Sequence, residues 1–515
     1  MKIRIFILVL IFLMASLVIT GTCATWPTEG WQTSTPEEQG IDSKLLAEGL
    51  DFLKENREKY HLHSLLIIRH GYIVADVYFY PFAPGMMHDL ASVTKSFTAT
   101  LIGIAIDEGY IESVEQPVLD LFSERTVANV GADKRTMTVE NLLTMRSGFE
   151  SISEDEAGMV GGGTQAEMMG SPDWVQFTLD LPMSDEPGER FKYSNHGAHL
   201  LSATIQETTG LSALVFAQKY LFEPLGIHDV AWPSDPQGNN FGWGDLYLIP
   251  YDMAKLGYLY LKKGLWDGQQ ILSPAWVTAA TSFQTNTHLS FADYGYLWWL
   301  KPSGEYYYAD GREGQRIFVF PDKDIVVVTT GGGGRDQYGV LETLLNSYII
   351  PATESETSLS ANSKGVSLLE SRIQQAAAPP EAKLVSLLSD IAQTISGKTY
   401  VMDANPLGIS GVSLTFQEKS EALCLVSFGD IFQLEVQVGL DDVFRFSSGY
   451  PRNPGLPTAA KGVWESNNTF VVEYDTMGNL DRWKWKLIFE DNQMTLQMSE
   501  INHGPEITIT GRLEE

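Results

Sequence analysis

The feature that most constrains how this chain folds is a short polar motif followed directly by a long apolar segment. Ser92 and Lys95 stand three residues apart, and the segment from Phe97 to Ile106 is largely apolar and stops shortly before Gly109. This pattern predicts a buried helix with a glycine beyond its C-terminal end. Three residues are about one helical turn, so Ser92 and Lys95 are predicted to lie on the same face of that helix.

The same two residues are suited to nucleophilic chemistry. A serine at a helix N-terminus gains from the positive end of the helix dipole when negative charge develops on it. A lysine one turn inside, removed from water, has its charged form disfavoured. A neutral lysine beside a hydroxyl is a general base, so Ser92 is a candidate nucleophile and Lys95 its activating base. The spacing alone also arises by chance, and its weight therefore depends on further motifs.

A second motif, Tyr193-Ser194-Asn195, lies about a hundred residues downstream, after the turn at 186–191. A tyrosine near a lysine can relay a proton to a leaving group. An asparagine amide both donates and accepts hydrogen bonds, so it can hold a substrate amide and orient the lysine. The alternative interpretation is a surface loop that carries a half-buried tyrosine.

A third motif is a glycine-containing turn at 309–316 that leads into a strand of alternating apolar residues. A second apolar strand covers 324–330, and the segment Pro321-Asp322-Lys323 between them predicts an antiparallel hairpin. A glycine at the turn allows the backbone to approach a substrate closely.

These three motifs, in this order, resemble those of the serine hydrolases of the class C β-lactamase and penicillin-binding family, which includes D-peptidases, carboxylesterases and 6-aminohexanoate-dimer hydrolases. The resemblance covers roughly residues 40 to 350. It implies a β-lactamase/transpeptidase-like fold and an oxyanion hole formed by two backbone N–H groups, those of Ser92 and Gln315. The catalytic residues that it implies are Ser92, Lys95 and Tyr193, and the substrate-binding residues are Asn195, Arg312, Gly314 and Gln315.

The chain departs from this family in the third motif, which reads Arg312-Glu313-Gly314. In the penicillin-recognising members a lysine and a hydroxyl residue at this motif bind the substrate carboxylate. A carboxylate at Glu313 repels such a substrate unless Arg312 neutralises it. Backbone donors do not depend on side-chain identity, so the expected change is in the substrate rather than in the catalytic centre.

The pattern along the chain predicts an α+β fold, with an antiparallel sheet flanked by helices and a helical subdomain inserted after the nucleophile helix. A loop near the mouth of the site is expected around 161–163 and Met168-Met169. The predicted sheet and flanking elements are an amphipathic helix at 42–58, strands at 64–69, 72–80, 294–300 and 306–330, and a helix at 342–350.

From about residue 351 the composition changes to that of a linker, and a short helix is predicted at 381–395. Strands with period-two alternation then predict a small antiparallel β-barrel or sandwich, similar to the lipocalin-like domains appended to many of these hydrolases. Its aromatic residues form either a core or a ligand pocket. The predicted strands are 412–416, 422–428, 432–438, 469–474, 482–489, 494–498 and 507–510. The predicted domains are 1–24 signal peptide, 25–350 hydrolase domain, 351–396 linker with a short helix, and 397–515 barrel.

The N-terminus has the pattern of a secretory signal. Lys2 and Arg4 precede an apolar segment at 5–19, and small residues allow cleavage after Ala24. The expected location is secreted, periplasmic or at the cell surface, without stable membrane insertion once the signal is removed. Retention of the segment as an anchor and lipidation at Cys23 are the alternatives.

Charge and cysteine content narrow the possible partners. The formal net charge of −30 argues against nucleic acid, and the acidic surplus serves either solubility or cation binding. Cys23 and Cys424 are the only cysteines, so cleavage would leave no internal disulfide. The sequence has no metal-type Cys/His spacing, and no cofactor is predicted. His196, beside the second motif, either lines the pocket or has a structural role.

Together these features predict an exported serine hydrolase that forms an acyl-enzyme on Ser92 with a small ester, amide or peptide substrate. The alternative is a catalytically silent penicillin-binding-like or peptide-sensing protein with the same fold. The side chains that the chemistry requires, those of Ser92, Lys95, Tyr193 and Asn195, are all present and favour the enzyme. Glu313 favours the silent protein.

Overall fold

The computed structural model describes residues 26–150, 163–353, 355–385, 388–417, 420–449, 455–502, 504 and 506–514. The predicted signal peptide and positions 161 and 162 of the predicted loop lie outside these residues. Within the described ranges, no helix combines the length and the apolarity that a membrane span requires.

The described part of the first domain is built on a nine-stranded sheet, in the spatial order β1-β3-β2-β13-β12-β11-β10-β9-β8. Its pairs are antiparallel except β1 with β3. The strands of this domain are β1 Gln32–Thr33, β2 Leu62–Arg69, β3 Tyr72–Tyr78, β4 His88–Asp89, β5 Tyr247–Leu248, β6 Leu265–Trp266, β7 Gln269–Gln270, β8 Thr285–Leu289, β9 Ala292–Tyr294, β10 Trp299–Leu300, β11 Tyr307–Gly311, β12 Gln315–Phe320 and β13 Ile325–Gly331. Outside the nine-stranded sheet, β4 pairs with β5 and β6 pairs with β7.

Helices cover both faces of this sheet. The helices of the described residues are α1 Ser43–Glu55, α2 Thr94–Asp107, α3 Val118–Leu121, α4 Ala132–Thr136, α5 Val139–Leu143, α6 Gly163–Gly170, α7 Trp174–Asp180, α8 Asn195–Thr209, α9 Ala213–Ala217, α10 Glu223–Leu225, α11 Pro250–Leu261, α12 Pro274–Ala280, α13 Gln337–Leu344, α14 Ile350–Ala352, α15 Ser363–Ala377 and α16 Asp390–Ile395. The last of them, α16, packs against the C-terminal domain instead of this sheet. Alternate residues of β2 enter two separate cores, with Leu66 and Ile68 in one and Leu65 and Ile67 in the other. Because both faces are covered, the central strands are apolar throughout rather than alternating.

The nucleophile helix α2 is buried from Thr94 to Ala105, which explains why its sequence is apolar on all sides. It packs against α8 in the helical subdomain and carries Lys95 in its first turn. The α+β class and the helical subdomain predicted from the sequence are confirmed.

Three details of the prediction need correction. Met168 and Met169 belong to helix α6 rather than to a loop. The segment after residue 351 contains the long helix α15, which the linker composition concealed. Leu369 of this helix is buried against the first domain, and Arg372 pairs with Asp51 at 2.6 Å. The helix predicted at 381–395 is shorter, and α16 begins only at Asp390.

The C-terminal domain is a closed antiparallel barrel, which confirms the predicted architecture. Nine strands form the ring, which closes by one parallel pairing between β17 and β19, and β18 adds to β19. The strands are β14 Thr399–Met402, β15 Gly411–Phe416, β16 Glu421–Phe428, β17 Phe432–Gly439, β18 Arg445–Ser447, β19 Thr458–Trp464, β20 Thr469–Thr476, β21 Arg482–Glu490, β22 Gln493–Glu500 and β23 Glu506–Leu513. The sequence prediction lacks β14, β18 and β19. Trp485 and Leu487 point into the barrel core, where burial also raises the pKa of Cys424 to about 12.

The turn between β20 and β21 docks the barrel on the hydrolase domain. The backbone N–H of Asp89 donates to the carbonyl of Gly478 at 2.8 Å. Gly478 has φ +82°, and a Cβ there would lie 2.0 Å from the carbonyl oxygen of Met87. Only glycine fits this close approach. The turn therefore sits against the segment that leads directly into Ser92.

Candidate active site

Ser92 and Lys95 are brought together as the spacing predicts. Ser92 lies in a single 3-10 turn, Ala91–Val93, and Lys95 is in the first turn of α2 that follows. Lys95 Nζ forms a 2.9 Å hydrogen bond with Ser92 Oγ and donates to the carbonyl of Trp243 at 2.8 Å. The lysine is 1% exposed, and its burial lowers its pKa well below the ordinary value. A buried lysine with a depressed pKa is a suitable general base for the serine hydroxyl.

The backbone immediately before the nucleophile is strained. Ala91 has φ +45°, in the left-handed region that non-glycine residues rarely adopt. Its N–H donates to Asp89 Oδ1 at 2.8 Å, which fixes the unusual turn. Such a conformation costs about 1 to 3 kcal/mol, and the surrounding structure must hold it. The strain therefore lies at the residue that sets the orientation of Ser92.

Two carboxyl groups, the buried one of Asp89 and the half-buried one of Asp245, line the pocket beside the nucleophile. Burial raises the pKa of Asp89 to about 8, and the charge of Asp245 adds to this shift. Burial also raises the pKa of Asp245, while Arg312 and Lys95 lower it. Asp245 has φ +61° and follows Gly244 directly. Since both pKa values are raised, this part of the pocket holds less negative charge at neutral pH than two ionised carboxylates would give.

The second motif lies against the lysine. Lys95 Nζ is 4.7 Å from the centre of the Tyr193 ring, which stacks on Trp299 with 6.1 Å between centroids. Asn195 is the first residue of α8 and is buried, and its side-chain Nδ2 donates to Gln165 Oε1 at 2.8 Å. Helix α6, which carries Gln165, therefore holds the Asn195 amide in place.

The third motif forms the turn between β11 and β12. Arg312 Nη1 lies 3.0 Å from Asp481 Oδ1 of the barrel and 3.9 Å from Glu313 Oε1. Glu313 has φ +63° and is 1% exposed. Its Oε2 accepts a hydrogen bond from Asn502 Nδ2 at 3.4 Å. The carboxylate closest to Arg312 is therefore Asp481 rather than the neighbouring Glu313.

Gly314 and Gln315 serve the sheet as well as the turn. Gly314 has φ +91°, and a Cβ there would lie 2.2 Å from the hydroxyl oxygen of Tyr60, which donates to the Gly314 carbonyl. Gln315 is 1% exposed, and its side chain donates to the carbonyl of Gly331 at 2.5 Å. Neither residue is among the described residues that line the pocket. Their predicted role in substrate binding can involve only the backbone and stays a prediction.

The pocket above Ser92 has a volume of about 750 Å³, within the usual size range of small-molecule sites. Ser92, Tyr193, Asn195, Arg312 and Glu313 all line it, so five of the motif residues meet there. The barrel contributes Leu480, Asp481, Trp483, Glu500 and Gly504.

His196 is not among the described lining residues. It is fully buried in α8, and burial lowers its pKa to about 4. Of the two roles that the sequence left open, the structure favours the structural one.

Sequence reasoning missed several groups that complete the site. Asp89 accepts a hydrogen bond from the N–H of Ala91, directly before Ser92. The carbonyl of Trp243 accepts one from Lys95 Nζ. Asp245 directly follows the Gly-Trp-Gly segment at 242–244, and this position in the sequence could have identified it as a site residue. For Asp481 no signal exists, because 169 residues separate it from Arg312 and only the docked barrel unites them.

Known proteins share both the sequence pattern and the fold. The family model described as Beta-lactamase matches residues 52–336. The 6-aminohexanoate-dimer hydrolase of Paenarthrobacter ureafaciens is 26% identical over 310 residues, covering 57% of this chain and 79% of the relative. The structure of EstCE1, a hydrolase with promiscuous acyltransferase activity, has a TM-score of 0.51 at 14% identity and covers 61% of this chain and 99% of its own. A Bacillus anthracis structure, described as a candidate 6-aminohexanoate-dimer hydrolase, has a TM-score of 0.52 at 17% identity, with coverages of 64% and 89%. At these identities the structural similarities concern the fold alone.

Proposed function

The chain belongs to the beta-lactamase family, as its motifs predicted, and from that premise we propose that it is a serine hydrolase which cleaves a small ester or amide through an acyl-enzyme on Ser92. The single observation that carries the proposal is the 2.9 Å contact between Lys95 Nζ and Ser92 Oγ. A fully buried lysine in contact with a serine hydroxyl has no structural purpose that an apolar residue would not serve better, since burying a charge is costly.

The proposed reaction starts with neutral Lys95. Ser92 Oγ attacks the substrate carbonyl carbon while its proton moves to Lys95 Nζ, and the carbonyl oxygen takes the negative charge. The carbon–leaving group bond then breaks, and Tyr193 relays the proton from Lys95 to the leaving group. In the second half a water molecule attacks the acyl carbon while one of its protons moves to neutral Lys95. The bond between that carbon and Ser92 Oγ then breaks, the acid product leaves, and the proton on Lys95 returns to Ser92 Oγ. The carbonyl of Trp243, which accepts from Lys95 Nζ at 2.8 Å, keeps the amine directed toward the serine.

Charge in the pocket supports an uncharged acyl group. Arg312, the cation of the third motif, is already paired with Asp481 at 3.0 Å, and Glu313 adds a second carboxylate nearby. An anionic acyl donor would have to displace Asp481 from Arg312 to gain a cationic partner. The names of two relatives, 6-aminohexanoate-dimer hydrolase and hydrolase with promiscuous acyltransferase activity, support hydrolysis of amides or esters as the reaction class.

We also propose export, on the sequence of residues 1–24, with secretion or a periplasmic or cell-surface location as the outcome. Comparing the N-terminal residue of the mature protein with Met1 tests this part of the proposal. An intact N-terminus in the cytosolic fraction would contradict it.

Labelling with a fluorophosphonate probe tests the catalytic proposal. Wild type should be labelled at Ser92 and should hydrolyse members of a panel of p-nitrophenyl esters, nitrocefin and D-amino-acid peptides. Ser92→Ala should lose both properties while its circular dichroism spectrum stays unchanged, and Ser303→Ala, at an exposed serine, should keep both. Undiminished turnover in Ser92→Ala would end the proposal. A silent binding protein would instead bind panel members reversibly, with neither labelling nor turnover.

A further inference from the structure

A cavity larger than the pocket at Ser92 lies where the hydrolase domain meets the barrel. It encloses about 1020 Å³. Arg57 and His61, which follow α1, line one side, and Arg482 and Asp475 of the barrel line the other.

The cations in this cavity outnumber the carboxylates that could neutralise them. Asp442 and Glu473 both pair with Lys461, at 2.7 and 3.5 Å. Of the remaining lining groups, two are carboxyls, Glu58 and Asp475. Four are cations with no carboxylate oxygen within 4.0 Å in the described part of the chain: Arg57, Arg335, Arg482 and Lys484. This local cationic surplus occurs in a chain whose formal net charge is −30.

Two of these cations act on each other. Burial lowers the pKa of Arg57, and the charge of Arg482 lowers it further. Both guanidinium groups also depress the pKa of His61, which burial already lowers well below its ordinary value. Arg482 Nε and His61 Nδ1 are buried without a hydrogen-bond partner among the described residues. Two like charges and two unsatisfied buried nitrogens facing one space are unfavourable unless an anion occupies it.

We propose that this junction cavity is an anion-binding site in which Arg57 and Arg482 hold a carboxylate or phosphate group between them. Guanidinium groups bind such oxyanions through paired, charge-assisted hydrogen bonds. His61, being neutral, supplies an N–H donor without adding to the repulsion. Asp475 lies opposite Arg482 in the register of β20 and β21, and burial raises its pKa to about 7. Its protonated form is therefore accessible near neutral pH and does not oppose an anion.

The site is connected to the catalytic pocket. Asn502 lines the junction cavity, and its Nδ2 donates to the carbonyl of Gly332 at 2.8 Å and to Glu313 Oε2 at 3.4 Å. Trp483 lines both cavities. The anion therefore comes from one of two sources: a free small anion, or the anionic far end of a long substrate held at Ser92. The second source rests on the proposed function, whereas the anion site itself does not.

Isothermal titration of the full-length protein with inorganic phosphate and with succinate, at constant ionic strength, tests the site directly. Wild type should bind one equivalent saturably. Arg57→Gln and Arg482→Gln should each weaken binding at least tenfold, and Arg512→Gln, at an exposed arginine of β23, should leave it unchanged. The absence of saturable binding in wild type, or equal affinity in all four proteins, would overturn the proposal.

A second measurement needs no variant and so remains decisive if a variant fails to fold. Phenylglyoxal modifies accessible arginines, and the modified positions of the wild-type protein can be mapped by mass spectrometry. Phosphate should protect Arg57 and Arg482 from modification but not Arg512. Equal modification with and without phosphate would contradict the site.

Two esters distinguish the sources of the anion. If the ligand is the far end of the substrate, Arg482→Gln should raise KM for a p-nitrophenyl ester of a long dicarboxylic acid but not for p-nitrophenyl butyrate. If the ligand is a free anion, wild type still binds phosphate, and Arg482→Gln changes KM for the two esters alike. A protein that binds phosphate but turns over neither ester would refute the proposed function and leave the anion site standing.

Discussion

The two walls of the catalytic pocket differ in how they are built. The wall that carries Ser92 and Lys95 comes from one helical turn, and the burial of Lys95 lowers the pKa of its amine. The opposite wall joins Arg312 of the hydrolase domain to Asp481 of the barrel, with about a third of each side chain exposed. The first wall contains the groups that make and break bonds. The second contains charges that decide which acyl group can approach.

This difference determines what substitutions should reveal. A group that acts on the reacting atoms contributes in the transition state, so its loss should lower kcat. A partly exposed ion pair is worth about 0 to 1 kcal/mol, so its loss should change substrate preference more than stability. Predictions that separate kcat from KM are therefore the sharpest tests of the comparison.

The largest effect is expected at Lys95. Lys95→Ala removes the general base and should lower kcat/KM roughly a thousandfold, in the range of general-base contributions. In the pH profile of wild-type kcat/KM, the rise on the acid side should occur well below the ordinary lysine pKa. The reason is that only neutral Lys95 can accept the serine proton and that burial lowers its pKa. Activity should thus rise with pH through that lowered value and then level off. The pH profile of kcat/KM measures this.

Lys95→Arg is the matched control, since arginine is also a long basic side chain but stays protonated throughout the accessible pH range. It should be as inactive as Lys95→Ala. An acid limb near pH 10 in wild type, or substantial activity in Lys95→Arg, would show that the lysine is not the base.

Tyr193→Phe should have the next largest effect. It removes only the hydroxyl and keeps the ring that lies 4.7 Å from Lys95 Nζ and stacks on Trp299. If the hydroxyl relays a proton to the leaving group, kcat should fall on the order of a hundredfold with little change in KM. Esters with better leaving groups need less protonation, so the loss should shrink across a series of such esters. A fall confined to KM would assign Tyr193 to binding instead.

Arg312→Ala tests the opposite wall and should raise KM by about tenfold while leaving kcat nearly unchanged. A charge that holds the substrate equally in the ground and transition states contributes uniform binding. Steady-state kinetics on p-nitrophenyl butyrate give both constants. A dominant fall in kcat would mean that the roles assigned to Tyr193 and Arg312 are exchanged.

The two walls also differ in how far the sequence predicts them. The Ser92–Lys95 turn could be predicted because local helical periodicity brings the two residues together. The hairpin of β12 and β13 could be predicted from its alternation and its turn. Asp481 could not, since its contact with Arg312 depends on how the barrel docks. Helix α15 was missed because its polar surface resembles a linker, and its burial at Leu369 depends on a surface created by α1.

Nitrocefin turnover tests which carboxylate of the second wall, Glu313 or Asp481, excludes an anionic substrate. Wild type should hydrolyse nitrocefin weakly and p-nitrophenyl butyrate better, because the β-lactam carboxylate meets Asp481 and Glu313 at about the position of the third motif. Two like charges about 4 Å apart repel each other by a few kcal/mol at an effective dielectric near 20. Glu313→Thr should raise nitrocefin turnover a few-fold.

Asp481→Asn should raise nitrocefin turnover more than Glu313→Thr does, since the carboxylate of Asp481 lies 3.0 Å from Arg312 whereas that of Glu313 lies at 3.9 Å. Asp441→Asn, at a barrel carboxylate paired with Arg445, is the matched control. Nitrocefin turnover equal to that of the ester in wild type, or no gain in either pocket variant, would refute the electrostatic argument. A larger gain in Glu313→Thr would place the selective charge on the hydrolase domain alone.

The last prediction concerns stability instead of activity and comes from Asp89. Its pKa rises from the ordinary 3.8 to about 8 in the folded protein, so the folded state holds this proton more tightly than the unfolded state. The favourable contribution is complete below about pH 4 and is lost as pH rises toward 8. Asp89→Asn cannot ionise and can still accept the hydrogen bond from the Ala91 N–H, so it should remove this loss. Melting temperatures measured between pH 5 and 8.5 should therefore diverge, with the variant gaining on wild type as pH rises, whereas Asp120→Asn, at an exposed carboxylate, should follow wild type. Parallel curves for Asp89→Asn and wild type would mean that Asp89 is ionised at neutral pH, and that the nucleophile wall carries the same kind of charge as the wall opposite.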